Sequence, residues 1–382
     1  MRIIKYGIDI SKIILCKAIS IVMKVNRNNR DIWLIGERKD EAKDNGYHLF
    51  KYVREKHPEQ KIYYVIDKNS NDIRKIEKYN NIIYHGTFKH YLYYVLATKL
   101  ICAHQSSTIP DSPVCWKLGQ YGFLKKKKIY IKHGIIKEKI KSHMYENTKF
   151  DMIICGAKPE YDFVKSELGY PEENVKYLGL CRFDNLHNFK VKNQILVMPT
   201  WRAWFGSTWG KESDDDFLKS EYFKNYEDLI TSRELEKYLK KNGVNLIFYP
   251  HYEMQRYLKY FTTNSERIII ADSKQYDVQT LLKESKLLIT DYSSIAFDFA
   301  YMKKPIIYYQ FDKDEYDKRH YSKGYFDYKR DGFGPVTSNV DELVRNIKVI
   351  DNEEKYIYKV SKFFEIYDNQ NCMRTYKEVC SL

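Results

Sequence analysis

Several familiar signatures are missing from this chain of 382 residues. It has no G-x-x-x-x-G-K-[ST] loop and no G-x-G-x-x-G after its first strand-like run, which argues against a P-loop nucleotidase and a standard dinucleotide-binding half. The seven cysteines (16, 102, 115, 155, 181, 372, 380) form no C-x-x-C pair and keep no zinc-ligand spacing with histidine. A disulfide framework and a structural zinc are therefore set aside, and a reduced cytoplasmic compartment fits, with Cys102 and Cys155 inside strand-like runs. No metal constellation is visible. The acidic triplet Asp214, Asp215 and Asp216 lies in a polar stretch off any strand end and reads as solvated or as helix N-terminal charge. No helix-turn-helix, zinc finger or RNP-type aromatic motif stands out, so nucleic acid is not the expected partner. No fixed-period repeat or low-complexity tract occurs.

What is present is a basic, aromatic chain. The formal net charge is +14, aromatic residues make up 16%, mostly 36 tyrosines, and apolar residues 43%. This is a folding composition, long enough for two domains, and its charge suits an anionic partner such as a membrane surface or a phosphate-bearing substrate. Residues 1–30 combine isoleucine-rich stretches with Lys5, Lys12, Lys17, Lys24, Arg27 and Arg30. Charges interrupt them too often for a spanning helix, and no small-residue cleavage site follows. A basic amphipathic segment in the membrane interface is expected, the alternative being a helix packed on the body of the protein.

Short continuous apolar runs alternate with stretches of helix length. The first set is DIWLIGE (31–37), KIYYVID (61–67), NIIYHG (81–86), KLICAH (99–104), KIYIKHG (128–134) and FDMIICG (150–156). The second is QILVMPTW (194–201), NLIFYPH (245–251), ERIIIAD (266–272), KLLITDY (286–292) and KPIIYYQFD (304–312). Continuous rather than alternating runs suit parallel strands buried on both faces, and their alternation with helices implies βαβ units. The expected fold is α/β: two Rossmann-like, doubly wound domains facing a central cleft, spanning 31–185 and 190–382. The last helix of the second either stays with it or packs back on the first domain. In such sheets ligands bind beyond the carboxyl ends of the strands.

Four polar groups follow strand-like runs directly: His133-Gly134, Pro199-Thr200-Trp201-Arg202, Pro250-His251 and Asp291-Tyr292-Ser293-Ser294. An imidazole can take a proton from an attacking hydroxyl, and Gly134 lets the chain turn behind His133. A structural histidine is the bland alternative, and His85 and His104 at other strand ends show how common the pattern is. Arg202 offers a planar fork for phosphate. Ser293 and Ser294 can cap a helix or help its free N–H groups hold an anion. Asp291 is expected to anchor a loop N–H or pair with a base.

The ordered set HG (133–134), PTWR (199–202), PH (250–251), TDYSSIAFDFAYMKKPIIYYQFD (290–312) and GYFDYKRDGFGPV (324–336) resembles the CDP-glycerol glycerophosphotransferase family, over about residues 100–350. Its members build teichoic acids and capsule polymers in Gram-positive bacteria. The resemblance implies a GT-B type fold, an acceptor-side first domain and a CDP-donor-binding second domain. It implies transfer of glycerol phosphate or ribitol phosphate from a CDP-alditol to a hydroxyl of an undecaprenyl-diphosphate-linked saccharide or a teichoic or capsule polymer, with release of CMP. By the same resemblance, His133 and His251 are catalytic. Arg202, Thr200, Ser293 and Ser294 bind the donor phosphates, with Gly134, Asp291 and Asp298 supporting them. No cofactor is implied, and the place of work is the cytoplasmic face of the plasma membrane. A GT-B glycosyltransferase using a nucleotide sugar, and a non-enzymatic binder of acidic polymer, are the alternatives.

Overall fold

The computed structural model of the chain describes residues 2–26, 30–120, 124–206, 210–320, 324–350 and 353–382; Arg27 of the basic N-terminal segment lies outside them. The chain forms two compact units. Met1–Ile135, Lys141–Asn185 and Asp368–Leu382 make the first, and Ile136–Ile140 with Leu186–Tyr367 make the second.

The first unit holds strands β1 (Ile32–Gly36), β2 (Lys61–Ile66), β3 (Ile82–Tyr84), β4 (Lys99–Cys102), β5 (Lys127–Tyr130), β6 (Met152–Cys155) and β7 (Val175–Tyr177). All pair in parallel, in the order β3-β2-β1-β4-β5-β6-β7. The second holds β8 (Gln194–Val197), β9 (Asn245–Phe248), β10 (Ile268–Ile270), β11 (Leu287–Thr290), β12 (Ile306–Tyr309) and β13 (Val336–Thr337). These are also parallel, in the order β10-β9-β8-β11-β12-β13. Every residue of β1, β4, β6, β8, β11 and β12 is buried, as continuous apolar runs covered on both faces require.

Each of the apolar runs supplies one strand. β7 and β13 were not among them, and both are edge strands of three and two residues. An edge strand needs fewer apolar side chains, so its sequence (Val-Lys-Tyr, Val-Thr) carries no run to detect. The close passage of β13 beside β12 explains the glycine at 334, where a Cβ would lie 1.7 Å from the Ile306 carbonyl oxygen.

The final helix, Asn371–Ser381, belongs to the first unit rather than the second. Asp184 holds its start, accepting from the backbone N–H groups of Asn371 and Cys372, each at 2.8 Å.

The first helix, Arg2–Met23, packs on helices Phe88–Leu96 and Pro113–Gln120 with an inverted pattern. At 3.6 residues per turn Asp9, Cys16 and Ser20 share the buried side. Ile13 and Met23 pack inward beside them, whereas Ile8, Ile14, Leu15, Ile21 and Val22 face outward, Ile14 being 64% and Val22 72% exposed. Among the described residues no helix is long and apolar enough to cross a membrane.

In each sheet the strand order reverses once, between β1 and β4 and between β8 and β11. Those switch points are where a doubly wound sheet offers room for a ligand.

Candidate active site

In the first unit His133 lies just past β5. The left-handed backbone of this turn falls on Lys132 (φ 58°), one residue before His133, while Gly134 follows it. A lysine adopts that conformation only where its surroundings enforce it, at about 1–3 kcal/mol of strain. Here the Lys132 side chain is buried against the Glu160 carboxylate, whose other oxygen accepts from the Gly156 N–H at 2.7 Å. The Asn45 amide donates to the Lys132 carbonyl at 2.9 Å, and Arg182 donates to the His133 carbonyl at 2.7 Å while pairing with Asp44 at 2.6 Å. The turn that presents His133 is therefore pinned from three directions.

The His133 imidazole reaches water, yet stacks on His104 with ring centroids 4.3 Å apart and planes 10° from parallel. Its Nδ1 lies 3.4 Å from the Ala103 carbonyl oxygen. A carbonyl only accepts, so this contact places the proton on Nδ1 and leaves the Nε2 lone pair as the basic site. Desolvation, His104 and the Arg38 charge outweigh Asp44 and hold the pKa down to about 3, so the ring is neutral at pH 7. His104, which looked like one more strand-end histidine, is thus the stacking partner of the candidate base.

Five histidines of this unit, His85, His90, His104, His133 and His143, share the same downward perturbation. Desolvation is the largest cause in each, with His90 and His143 pushed down to about 4 and His104 and His133 to about 3. The sign follows from proton binding. Below the ordinary 6.5 the unfolded chain takes up protons that the folded one refuses, so stability is lost as pH falls from 6.5 towards 4. Glu37, raised to about 8 by burial and then by Asp44, acts oppositely: its contribution is present below 4.5 and lost as pH rises through 8. Five histidines oppose one carboxylate. The midpoint of thermal unfolding is expected to be lower at pH 5 than at pH 7, and an equal or higher midpoint at pH 5 would show that these rings are protonated in the fold.

In the second unit the loops after β8 and β11 are tied together at the switch point. Asp291, fully buried, accepts from the Thr200 N–H at 2.8 Å and from its neighbour Tyr292 N–H, and pairs with Arg202 at 2.9 Å. It thus anchors the loop and pairs with a base. Arg202 requires a correction. It is 0% exposed, its Nε and Nη2 donate to Asp312 at 2.7 and 3.1 Å, and its Nη1 donates to the Thr200 carbonyl at 2.9 Å. Tyr222, Tyr292 and Tyr316 surround the guanidinium within 5.0 to 5.2 Å. Its fork is engaged by two carboxylates inside the protein and does not face a ligand. Asp312 is the partner that sequence reading passed over, although the quoted motif ends on it.

The hydroxyls beside this network are differently placed. Thr200 is buried, and its Oγ1 has no hydrogen-bond partner among the described residues. Ser293 Oγ accepts from the Ile295 N–H at a long 3.4 Å, and Ser294, at the N-cap of helix Ile295–Tyr301, makes no side-chain cap bond. Capping therefore does not account for the serine pair. Asp298 is buried within that helix.

His251 follows β9, with its Nδ1 accepting from the Glu253 N–H at 3.3 Å. Its ring lies 6.2 Å from Trp201, and Trp201 also meets His320 at 5.0 Å. His320 was not singled out, because it follows helix Lys313–Arg319 and no strand-like run points to it. Burial, then the charges of Arg202, Lys137 and His251, push its pKa down to about 3. The Asp214–Asp216 triplet forms the first turn of helix Asp214–Lys219, with Asp216 and Ser213 in a capping box. Among the described residues no cluster of histidine, cysteine or acidic side chains could hold a metal.

Comparison with known proteins places this geometry in context. GgaB of Bacillus subtilis (strain 168), a minor teichoic acid biosynthesis protein, is 33% identical over 367 residues, 93% of this chain and 40% of GgaB. TarL of Staphylococcus aureus (strain NCTC 8325 / PS 47), a teichoic acid ribitol-phosphate polymerase, is 27% identical over 249 residues, 57% of this chain and 39% of TarL. The chain thus spans about two fifths of the length of these curated relatives. The wall teichoic acid polymerase TagF superposes with a TM-score of 0.67 at 18% identity, covering 99% of this chain and 96% of that one, which shows a shared fold. The family model for CDP-Glycerol:Poly(glycerophosphate) glycerophosphotransferase matches residues 16–381, and the chain belongs to that family.

Proposed function

We propose that this chain transfers an alditol phosphate, glycerol phosphate or ribitol phosphate, from a CDP-alditol to a hydroxyl of a lipid-linked teichoic or capsule polymer. The acceptor oxygen attacks the β-phosphorus, the bond from that phosphorus to the bridging oxygen breaks, and CMP leaves. The hydroxyl proton passes to Nε2 of His133. The observation that carries the reading is the exposed imidazole of His133 just past a strand end, whose Nδ1 contact leaves Nε2 as the basic site, in a chain of this family. The domain of 31–185 takes the acceptor side and that of 190–367 the CDP donor, with the 368–382 tail counted in the first.

The donor phosphates are assigned to the Thr200, Ser293 and Ser294 hydroxyls. A buried hydroxyl left unpaired costs about 1–3 kcal/mol, so Thr200 gains from a ligand oxygen. Arg202 acts behind them by bracing the loops, and His251 is the second catalytic histidine of the reading. The outward apolar face of helix Arg2–Met23, with Lys12 and Lys17 beside it, suits an anionic bilayer surface, where long lysine stems reach the headgroups. The chain then works as a peripheral protein on the cytoplasmic face of the plasma membrane.

The test supplies CDP-glycerol and CDP-ribitol in turn, with lipid-linked acceptor in anionic vesicles, and scores both CMP and co-sedimentation of the protein. At least one donor is expected to yield CMP, with the protein on the vesicles. If neither did, and a UDP-sugar were consumed instead, the chain would be a nucleotide-sugar glycosyltransferase.

A further inference from the structure

Stacking on His133 uses one face of the His104 ring and leaves its nitrogens unassigned. Strands β4 and β5 are parallel neighbours, with Cys102 beside Tyr130, so His104 and His133 emerge side by side at the same end of the sheet. Their rings lie 4.3 Å apart and 10° from parallel. The loop that carries His104 is fixed. The Ser107 N–H donates to the His104 carbonyl at 3.0 Å, and the Ser107 hydroxyl to the Gly36 carbonyl at 2.7 Å. The Gln105 amide donates to the Ser142 carbonyl, also at 2.7 Å.

Among the described residues neither ring nitrogen of His104 has a hydrogen-bond partner. His90 shows the structural alternative in the same unit: its Nδ1 accepts from the Gly86 N–H and its Nε2 donates to the Thr108 carbonyl, both at 3.1 Å. A phenylalanine would stack on His133 as well, so the stack does not account for the His104 nitrogens. The half-buried His104 ring lines a cavity of about 710 Å³ at the β1/β4 switch point, within the ~300–1,000 Å³ usual for small-ligand sites. Glu37, Asp40 and Asp111 line it too, and Lys39 is spent on Asp111. Carboxylates repel a phosphate and accept from hydroxyls, so this wall suits a neutral, hydroxyl-bearing group.

We propose that His104 binds the acceptor beside the base: one of its ring nitrogens holds the hydroxyl adjacent to the one that His133 deprotonates, so the site selects a vicinal diol over an isolated alcohol. The assignment rests on the transferase reading and adds to it a class of reacting group. Two parallel imidazoles one stacking distance apart can each meet one of two neighbouring oxygens, and a neutral imidazole offers one donor and one acceptor for them. Holding the second oxygen removes rotation about the carbon–carbon bond and turns the first towards Nε2 of His133. The shared stack then serves to keep the two nitrogens in register.

The test uses two acceptors that differ by one oxygen, the 2,3-dihydroxypropyl and 3-hydroxypropyl esters of octyl phosphate. Each is assayed for CMP release with CDP-glycerol and CDP-ribitol, and titrated calorimetrically, using the full chain, His104→Phe and His104→Gln. Wild type is expected to favour the diol by about tenfold in acceptor kcat/KM, the worth of one good hydrogen bond. In His104→Phe, which keeps the stack, that preference should vanish while the rate with the 3-hydroxypropyl ester stays near wild type. His104→Gln, which keeps a donor and an acceptor, should retain part of the preference. A role in stacking alone would lower both acceptors equally and leave their ratio unchanged. That unchanged ratio in His104→Phe overturns the assignment, as does a wild type that uses and binds the two esters alike or takes neither. The two readings fail separately. Diol binding that depends on His104, with no CMP formed from either donor, leaves the diol grip and removes the transferase. CMP formation at equal rates from both esters leaves the transferase and removes the diol grip.

Discussion

Replacing His133 by alanine is expected to lower turnover by about 10²–10⁴-fold, the usual contribution of a positioned general base. The fold should survive. The imidazole reaches water, and the turn is held by contacts to backbone carbonyls and by the Lys132–Glu160 pair, none of which involves the ring. Donor affinity should change little, because the Thr200 and Ser293-Ser294 hydroxyls stay in place, so the loss should appear in kcat rather than in the donor KM. Wild type supplies a second readout. Since His133 is held at about 3 by desolvation and His104, the acid limb of kcat/KM should lie well below the 6.5 of an ordinary histidine. Near wild-type CMP release from His133→Ala with a competent acceptor would remove the residue from the mechanism.

Replacing Arg202 by methionine should act on stability first. Arg202 is the counter-charge of Asp291 and Asp312, and both carboxylates are buried. Its removal leaves them uncompensated in a site they share with three tyrosine rings. Breaking a buried ion pair from one side costs about 3–5 kcal/mol, a large share of the ~5–15 kcal/mol that keeps a domain folded. Lysine should not rescue it, because one ammonium cannot reproduce a fork that reaches Asp291, Asp312 and the Thr200 carbonyl together. Denaturant unfolding of the purified variant decides the matter. A midpoint equal to wild type, combined with lost CDP affinity, would return Arg202 to the role of phosphate ligand.

The two cases show where linear reading of this chain succeeds and stops. His133 and Arg202 both follow strand-like apolar runs, and that pattern cannot tell a residue that emerges from the sheet end from one that turns back beneath it. The direction of Arg202 is set by Asp291 and Asp312, which lie 89 and 110 positions further along the chain. Asp312 was in plain view at the end of a recognised motif. Nothing local distinguishes a carboxylate that will meet a buried guanidinium from one at the surface. Asn45 and Arg182, which pin the His133 turn, are further still from any motif, and His320 follows no strand at all. The sequence put the turn at the glycine after His133, whereas the left-handed residue is the buried Lys132, whose ion pair and carbonyl contact hold the backbone there.

By itself the sequence determined that the chain is α/β with parallel strands, where nearly all of those strands run, and which family it belongs to. Continuous apolar runs and short motifs are local properties, and burial on both faces of a sheet leaves that mark on every strand long enough to carry it. Only the tertiary structure decided which polar residues are spent on each other, and that Ile8, Ile14 and Ile21 of the first helix point outward while Asp9 and Ser20 point in. Those outcomes depend on pairings between distant segments, and the free energy of a buried charge or hydroxyl is settled by the partner that arrives, not by its neighbours in the chain.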